Sequence, residues 1–362
     1  MSALARELRA RIALGGPLTV AEYMAAALGH PRHGYYTHGD PFGREGDFIT
    51  APEVSQMFGE LIGLWCAACW EQMGRPAQAL LVEVGPGRGT LMADALRAAA
   101  TVPAFREALD VHLVETSPGL RETQRKTLTG VDVTWHDAPQ SLPAGPLLLI
   151  ANELFDALPI HQFERRVGAW RERLVDVDPS SGGFRFVVAA GPTPSLALVP
   201  DDDAPPGSVA EVSPAAIGLA HEIGRRVAVD GGAALVIDYA SPRGALGDTL
   251  QAVRRHGRHE VLDEPGSADL SARVDFAMIA RSAAEAGART FGPVNQGDFL
   301  CALGVEARAA ALARDATEAQ RTDIEAALRR LIDPGKMGTL FKALAITRAD
   351  APPPAGFEGT VA

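Results

Sequence analysis

The segment Leu81-Val-Glu-Val-Gly-Pro-Gly-Arg-Gly-Thr90 restricts the fold more than any other part of the chain. An apolar run stops at three glycines spaced two apart, and a helix-forming stretch, Thr90–Ala100, begins directly after them. A strand that turns tightly into a helix points backbone N–H groups and the positive end of the helix dipole at one place, and glycines let a ligand come close to it. The same glycines also serve plain strand–helix packing, so the motif alone names no ligand. A dinucleotide fingerprint, G-x-G-x-x-G, laid on Gly85 and Gly87 puts its third glycine at Thr90, so the dehydrogenase pattern fails there. A phosphate loop needs G-K-[ST], which is absent.

The neighbourhood of this segment alternates strand and helix. Ala79–Val84, Asp110–Glu115, Val131–His136 and Leu147–Ala151 read as short strands, and Thr90–Ala100 and Leu120–Leu128 as helices between them. Apolar strands joined through helices indicate an α/β fold with a parallel sheet covered on both faces. Downstream, HQFERRV, AWRERLVDVD and FRFVVAA alternate as antiparallel strands do. Beyond them come a helix (Pro214–Val229), a strand (Ala233–Asp238), a helix (Val274–Ala286), a short strand (Arg289–Gly292), more helices and a last strand (Leu340–Thr347). The N-terminal part is helical, with Leu4, Leu8, Ile12 and then Val20, Met24, Leu28 as apolar stripes. Thr50 and Glu53 form a T-x-x-E capping box that predicts one helix running on through Val54, Met57, Phe58, Leu61 and Trp65.

Ligands of open α/β sheets bind beyond the carboxyl ends of the strands. Glu115 ends the second strand, 115 − 89 = 26 positions after Gly89, where a carboxylate can accept from two vicinal ribose hydroxyls. The fourth strand runs into Ala151-Asn-Glu-Leu-Phe-Asp156, which places Asn152, Glu153 and Asp156 at the same end. The alternative is a helix cap at Asn152 with acids in the first turn, and both can hold, because a capped loop is a rigid platform for a site. His136-Asp137 closes the third strand.

Composition removes several classes of function. Lys+Arg total 34 against 45 Asp+Glu, a formal charge of −11, which argues against sequence-independent binding to nucleic acid or an anionic membrane. Three cysteines fit a reducing compartment rather than a disulfide scaffold. No apolar stretch approaches the roughly 20 residues of a membrane span, and the N-terminus lacks the apolar core of a secretory signal. We expect a cytoplasmic protein. Cys66-x-x-Cys69 lies on an apolar helix without a second pair, so no metal is expected.

E-x-G-x-G-x-G, with Glu83 two positions before Gly85, resembles motif I of Rossmann-like methyltransferases that bind S-adenosyl-L-methionine. The segments GPLTVAEYMAAALGHPRHGYY, GDFITAPEVSQMFGELIGLW, EVGPGRGTL, ANELFDALP, QGDFLCALG and GTLFKALAI together resemble the MidA family, over nearly the whole chain. The resemblance implies a class I methyltransferase fold: a mostly parallel seven-stranded sheet with one antiparallel strand, at the edge, plus an N-terminal helical segment and an antiparallel β insertion. Its implied divisions are a cap at 1–75, a first core half at 76–160, the insertion at 161–207, a second core half with a helical insertion at 208–349, and a disordered tail at 350–362.

It further implies S-adenosyl-L-methionine as cofactor, held by Glu83, Gly85, Gly87, Gly89, Glu115, Asn152 and, at the adenine, Asp137. Asp47, Phe48 and Thr50 are expected to close over the cofactor and the substrate channel. The implied activity is protein arginine methylation on a subunit of respiratory NADH:quinone oxidoreductase (complex I) during assembly, in a bacterial version of a mitochondrial enzyme. For a planar guanidinium, Glu153 is the candidate clamp, and Asp156 a second clamp or proton acceptor. The alternative is an assembly factor that binds the cofactor while methyl transfer is dispensable or absent. The sequence leaves the oligomeric state open.

Overall fold

A computed structural model describes residues 2–37, 50–199, 204–240, 244 and 246–360. The chain forms two compact units. One contains residues up to Phe48, Phe155–Gly218 and Ser241–Asp275, and the other Ile49–Leu154, Leu219–Ala240 and Phe276–Ala362.

The second unit is built on seven strands, labelled here in chain order within that sheet: β1 (Ala79–Val84), β2 (Leu109–Val114), β3 (Val133–His136), β4 (Leu147–Asn152), β5 (Gly232–Tyr239), β6 (Ala288–Asn295) and β7 (Phe341–Arg348). Their spatial order is β6-β7-β5-β4-β1-β2-β3. From β3 through β5 every pairing is parallel, and β7 runs antiparallel to both β5 and β6. The antiparallel strand expected at the edge therefore lies one place in, with β6 outside it. Seven strands with one reversed hand were legible, but the final pairing depends on where β6 docks. β1, β4 and β5 bury nearly every side chain on both faces, as their continuous apolar runs require.

The helix after Thr50 departs from expectation. Residues Ala51–Val54 make one turn, which Thr50 precedes without a side-chain cap, and a second helix, Gln56–Gln72, starts with Ser55 accepting from the Met57 N–H at 3.2 Å. The capping box does not form because Glu53 is recruited elsewhere, as shown below. Gln56–Gln72 packs against Thr90–Ala99 at very short range. A Cβ on Gly63 would lie 2.5 Å from the Ala95 carbonyl oxygen, and one on Gly59 would lie 2.6 Å from the Asp94 Cβ. The Gly-x-x-x-Gly spacing on this helix is a packing device.

The expected disordered tail is also corrected. Phe357 is fully buried, its ring 5.2 Å from that of Phe299, and the Trp65 indole N–H donates to the Ala355 carbonyl at 3.2 Å. An aromatic residue in a Pro/Gly-rich stretch outweighs the composition signal when a pocket exists to receive it.

The first unit is mostly antiparallel. Strands Leu18–Thr19, His161–Arg166, Ala169–Val177, Phe184–Val188 and Val209–Val212 form one sheet, and Gln251–Arg254, Gly257–His259 and Asp269–Ser271 another. Two N-terminal helices join it. Ala3–Gly15 is capped by Ser2, and Val20–Gly29 by a full capping box between Thr19 and Glu22. Their stripes, Leu4, Leu8, Ile12 and Val20, Met24, Leu28, enter one core with Tyr23 and Val175. Among the described residues no helix is long and apolar enough to cross a membrane.

Candidate active site

The site at the carboxyl end of the seven-stranded sheet begins with the glycine loop. Gly85, Gly87 and Gly89 all have positive φ, at 69°, 52° and 81°. A Cβ on Gly85 would stand 2.7 Å from the Leu154 Cδ1, so this glycine answers to both conformation and close approach. Gly89 occupies the position before Thr90–Ala99 in the left-handed region.

Glu83, near the end of β1, is 3% exposed. The Met92 backbone N–H donates to it, yet burial pushes its carboxyl up to about 8. Its Oε2 has no hydrogen-bond partner, and neither has the buried Oδ1 of Asn152 on the adjacent parallel strand β4. Asn152 Oδ1 is an acceptor, and Glu83 Oε2 is one once its carboxyl ionises. A ligand that brings N–H or O–H donors to this end of the sheet satisfies both.

Glu115 follows β2 and is 9% exposed. Its Oε1 accepts from the Ser117 N–H at 2.7 Å and its Oε2 from Gln124 Nε2 at 3.2 Å. Burial raises its pKa, and these hydrogen bonds, with Arg121 nearby, oppose the rise. Two carboxylate oxygens offer about four acceptor positions, so room remains for hydroxyl donors.

Gln124 ties the region together and was not visible in the sequence. It is fully buried on the otherwise polar helix Pro118–Thr127. Besides Glu115, its Nε2 donates to the Gly87 carbonyl at 2.8 Å, while its Oε1 accepts from the Trp135 indole at 2.9 Å. One amide thus links the glycine loop, the carboxylate after β2 and strand β3. Its only advance signal was position, since it shares a helix face with Leu120, an i,i+4 pair.

Arg121 likewise escaped notice. It donates to the carbonyls of Glu115 and His136 and pairs with Asp137 at 2.7 Å. The Asp137 side chain is 86% exposed. It stands at the rim, tethered to Arg121, rather than in an enclosed pocket.

Asn152 and Glu153 end β4. Glu153 sits at φ 50°, a strained value for a non-glycine residue, at a cost of about 1–3 kcal/mol. The strain is held from two sides. The Glu153 N–H donates to the Ile237 carbonyl at 2.8 Å, and the Leu154 N–H donates to Asp238 Oδ2 at 3.0 Å. Asp238, fully buried at the end of β5, thereby sets the turn whose Leu154 side chain presses on Gly85. The Glu153 Oε1 accepts from the Ala51 N–H at 2.7 Å and from Asn152 Nδ2 at 3.2 Å. Burial lifts its carboxyl to about 7.

Glu53 completes the frame. Instead of capping its own helix, it accepts from Thr90 Oγ1 at 2.5 Å and lies 3.6 Å from Arg88. It thus braces the Arg88-Gly89-Thr90 turn. The structure therefore brings Glu83, Gly85, Gly87, Gly89, Glu115, Asn152 and Glu153 to the carboxyl ends of the neighbouring strands β1, β2 and β4. Asp137 joins them through Arg121, and Thr50 lies next to Ala51. Asp156 falls in the other unit, where its carbonyl accepts from the Ala272 N–H at 2.9 Å. Asp47 and Phe48 lie outside the described residues. Cys66 and Cys69 are buried in the core of the second unit, and burial pushes the Cys66 thiol up to about 12.

Known proteins share this chain's sequence and fold. A sequence family of S-adenosyl-L-methionine-dependent methyltransferases matches residues 61–294. The mitochondrial protein arginine methyltransferase NDUFAF7 homolog of Drosophila melanogaster is 39% identical, over 95% of this chain and 84% of its own length. Homo sapiens NDUFAF7, also named a mitochondrial protein arginine methyltransferase, is 38% identical, over 94% of this chain and 82% of its own. A crystal structure from Burkholderia thailandensis bound to S-adenosyl-homocysteine superposes with a TM-score of 0.85 at 31% identity, covering 99% of this chain and 93% of that one. The glycine loop under an orphaned carboxylate, the acid after the second strand and this shared architecture have one explanation: the chain belongs to the family of S-adenosyl-L-methionine-dependent methyltransferases that includes NDUFAF7.

Proposed function

We propose that this chain methylates an arginine of a protein substrate, a subunit of NADH:quinone oxidoreductase under assembly, in the cytoplasm of a bacterium. The observation that carries the reading is its 38–39% identity, over nearly its whole length, to relatives named protein arginine methyltransferases. Three free cysteines, two of them buried, fit a reducing compartment.

In this reading Glu83 and the Gly85–Gly89 loop hold the methionine end of the cofactor. Glu115 takes the ribose, Asp137 lies at the adenine, and Asn152 supports the turn. The orphaned acceptors suit the group, because S-adenosyl-L-methionine carries an ammonium and ribose hydroxyls as donors. When bound, it supplies an electrophilic methyl on a sulfonium.

The chain's own residues then handle the guanidinium, which is planar, cationic and rich in donors. Glu153 is assigned to clamp it. A carboxyl that titrates near 7 exchanges a proton readily at neutral pH, so Glu153 also suits the role of proton acceptor. Holding the nucleophile in line supplies most of the rate, roughly 7–11 kcal/mol for a well-oriented pair.

The test is mass spectrometry of the complex I subunits from cells with and without the chain, together with transfer of labelled methyl by the purified protein. Methylarginine present only with the chain, and lost with Glu153→Gln at unchanged cofactor affinity, is the expected result. Methyl groups on another residue type overturn the arginine assignment. Assembly that survives Glu153→Gln while transfer is gone makes the chain a binding factor instead.

A further inference from the structure

The first unit holds a constellation that methyl transfer does not use. His161 begins one strand of the five-stranded sheet, and Glu172 lies on its antiparallel neighbour, opposite Phe163. With a side-chain period of two, His161, Phe163 and Glu172 share a sheet face. His161 Nδ1 is 2.5 Å from Glu172 Oε1, and the Glu172 side chain is 1% exposed. On the far side of the ring, His161 Nε2 is 3.4 Å from Ser195 Oγ. Ser195 lies in the short 3-10 turn Pro194–Leu198, whose Leu196 packs with Phe163 and Trp170.

Acid, imidazole and hydroxyl therefore stand in a row. When a neutral His161 donates its Nδ1–H to the Glu172 carboxylate, Nε2 turns its lone pair to the serine hydroxyl. A nucleophile beside a base that a third group orients is the recognised pattern of nucleophilic catalysis, and the distance to the nucleophile is often loose without substrate. Thr193 Oγ1, two residues before Ser195, is buried with no hydrogen-bond partner, so its hydroxyl is available to donate.

We propose that Ser195, His161 and Glu172 form a nucleophilic site that cleaves activated carboxylic esters, separate from the methyl-transfer site. Ser195 Oγ attacks the carbonyl carbon while its proton passes to His161 Nε2. The tetrahedral species collapses, the alkoxide leaves with the proton from Nε2, and an acyl-serine remains. Water then attacks the acyl carbon and gives its proton to Nε2, which returns it to Ser195 as the acid departs. Glu172 keeps the ring in the required tautomer, and Thr193 donates to the oxyanion.

The experiment is labelling of the full chain with a fluorophosphonate probe, mapped by mass spectrometry, alongside hydrolysis of p-nitrophenyl acetate. One adduct on Ser195 is expected, with labelling and hydrolysis falling at least about 100-fold in Ser195→Ala and in His161→Asn. Ser195→Ala removes one half-buried hydroxyl, so an unchanged thermal midpoint shows that it folds. No adduct on the folded wild-type chain, an adduct elsewhere, or equal hydrolysis by Ser195→Ala overturns the proposal and leaves His161 and Ser195 as partners that merely satisfy a buried acid. Because the readout needs neither S-adenosyl-L-methionine nor an arginine, its failure and failure of the methyltransferase reading are separate events.

Discussion

Replacing Glu83 by Gln should stabilise the ligand-free protein while weakening its hold on the cofactor. Burial raises this carboxyl from 4.5 to about 8, the Met92 N–H opposing only part of the rise. A folded-state pKa above the unfolded one means that folding favours the protonated form. The stability this group allows is therefore fully present below about pH 4.5, and is lost as pH rises toward about 8. At pH 7 the loss amounts to about 3 kcal/mol, taking 1.36 kcal/mol per pH unit from 4.5 upward. Glu83→Gln removes the titration and should recover most of that, a rise in thermal midpoint of several degrees at pH 7 that disappears near pH 4.

Cofactor binding provides the second readout. A group with a pKa near 8 is about nine-tenths protonated at pH 7, and a cationic ammonium requires its carboxylate form. Calorimetric titration with S-adenosyl-L-methionine in two buffers of different ionisation enthalpy should show release of close to one proton at pH 7. The release should vanish in Glu83→Gln, together with at least tenfold of the affinity. A variant that melts lower than wild type at pH 7, or binding without proton release, refutes the reasoning.

Gln124→Leu leaves the Trp135 indole and the Gly87 carbonyl without their partner, so it should cost about 2–4 kcal/mol in denaturant unfolding. It also strips a donor from the Glu115 carboxylate, whose pKa burial already raises, so the penalty should grow only as pH climbs past that raised folded-state value. Gly63→Val drives a side chain into the Ala95 carbonyl, for which about 1–3 kcal/mol of destabilisation is expected in the same assay. Phe357→Ala empties a fully buried site and should cost about 3–5 kcal/mol, whereas removal of a truly disordered tail would cost nothing.

Much of this protein was legible before any coordinates. The strand–glycine–helix segment and the alternating strands specified a parallel α/β sheet, because apolar runs of strand length have few other places to go. The strand ends at Glu115 and Asn152-Glu153 followed from the rule that loops at the carboxyl edge carry function. Long-range partnerships were hidden. Glu53 and Thr50 formed a valid local capping signal, yet Thr90 and Arg88 captured the carboxylate from 37 and 35 residues away in sequence. Gln124 looked like one more polar residue on a polar helix until its burial between Gly87, Glu115 and Trp135 gave it a role. The tail read as disordered from its prolines, and Phe357 overruled them once Phe299 lay opposite.

Local sequence thus determined which segments become strands, helices and tight turns, since propensity and periodicity act over a few residues. Only tertiary structure decided which carboxyls are charged and which donors they meet. Glu83 near 8 and Glu153 near 7 owe their values to burial by segments distant in the chain. No window of sequence contains the desolvation that the whole fold imposes.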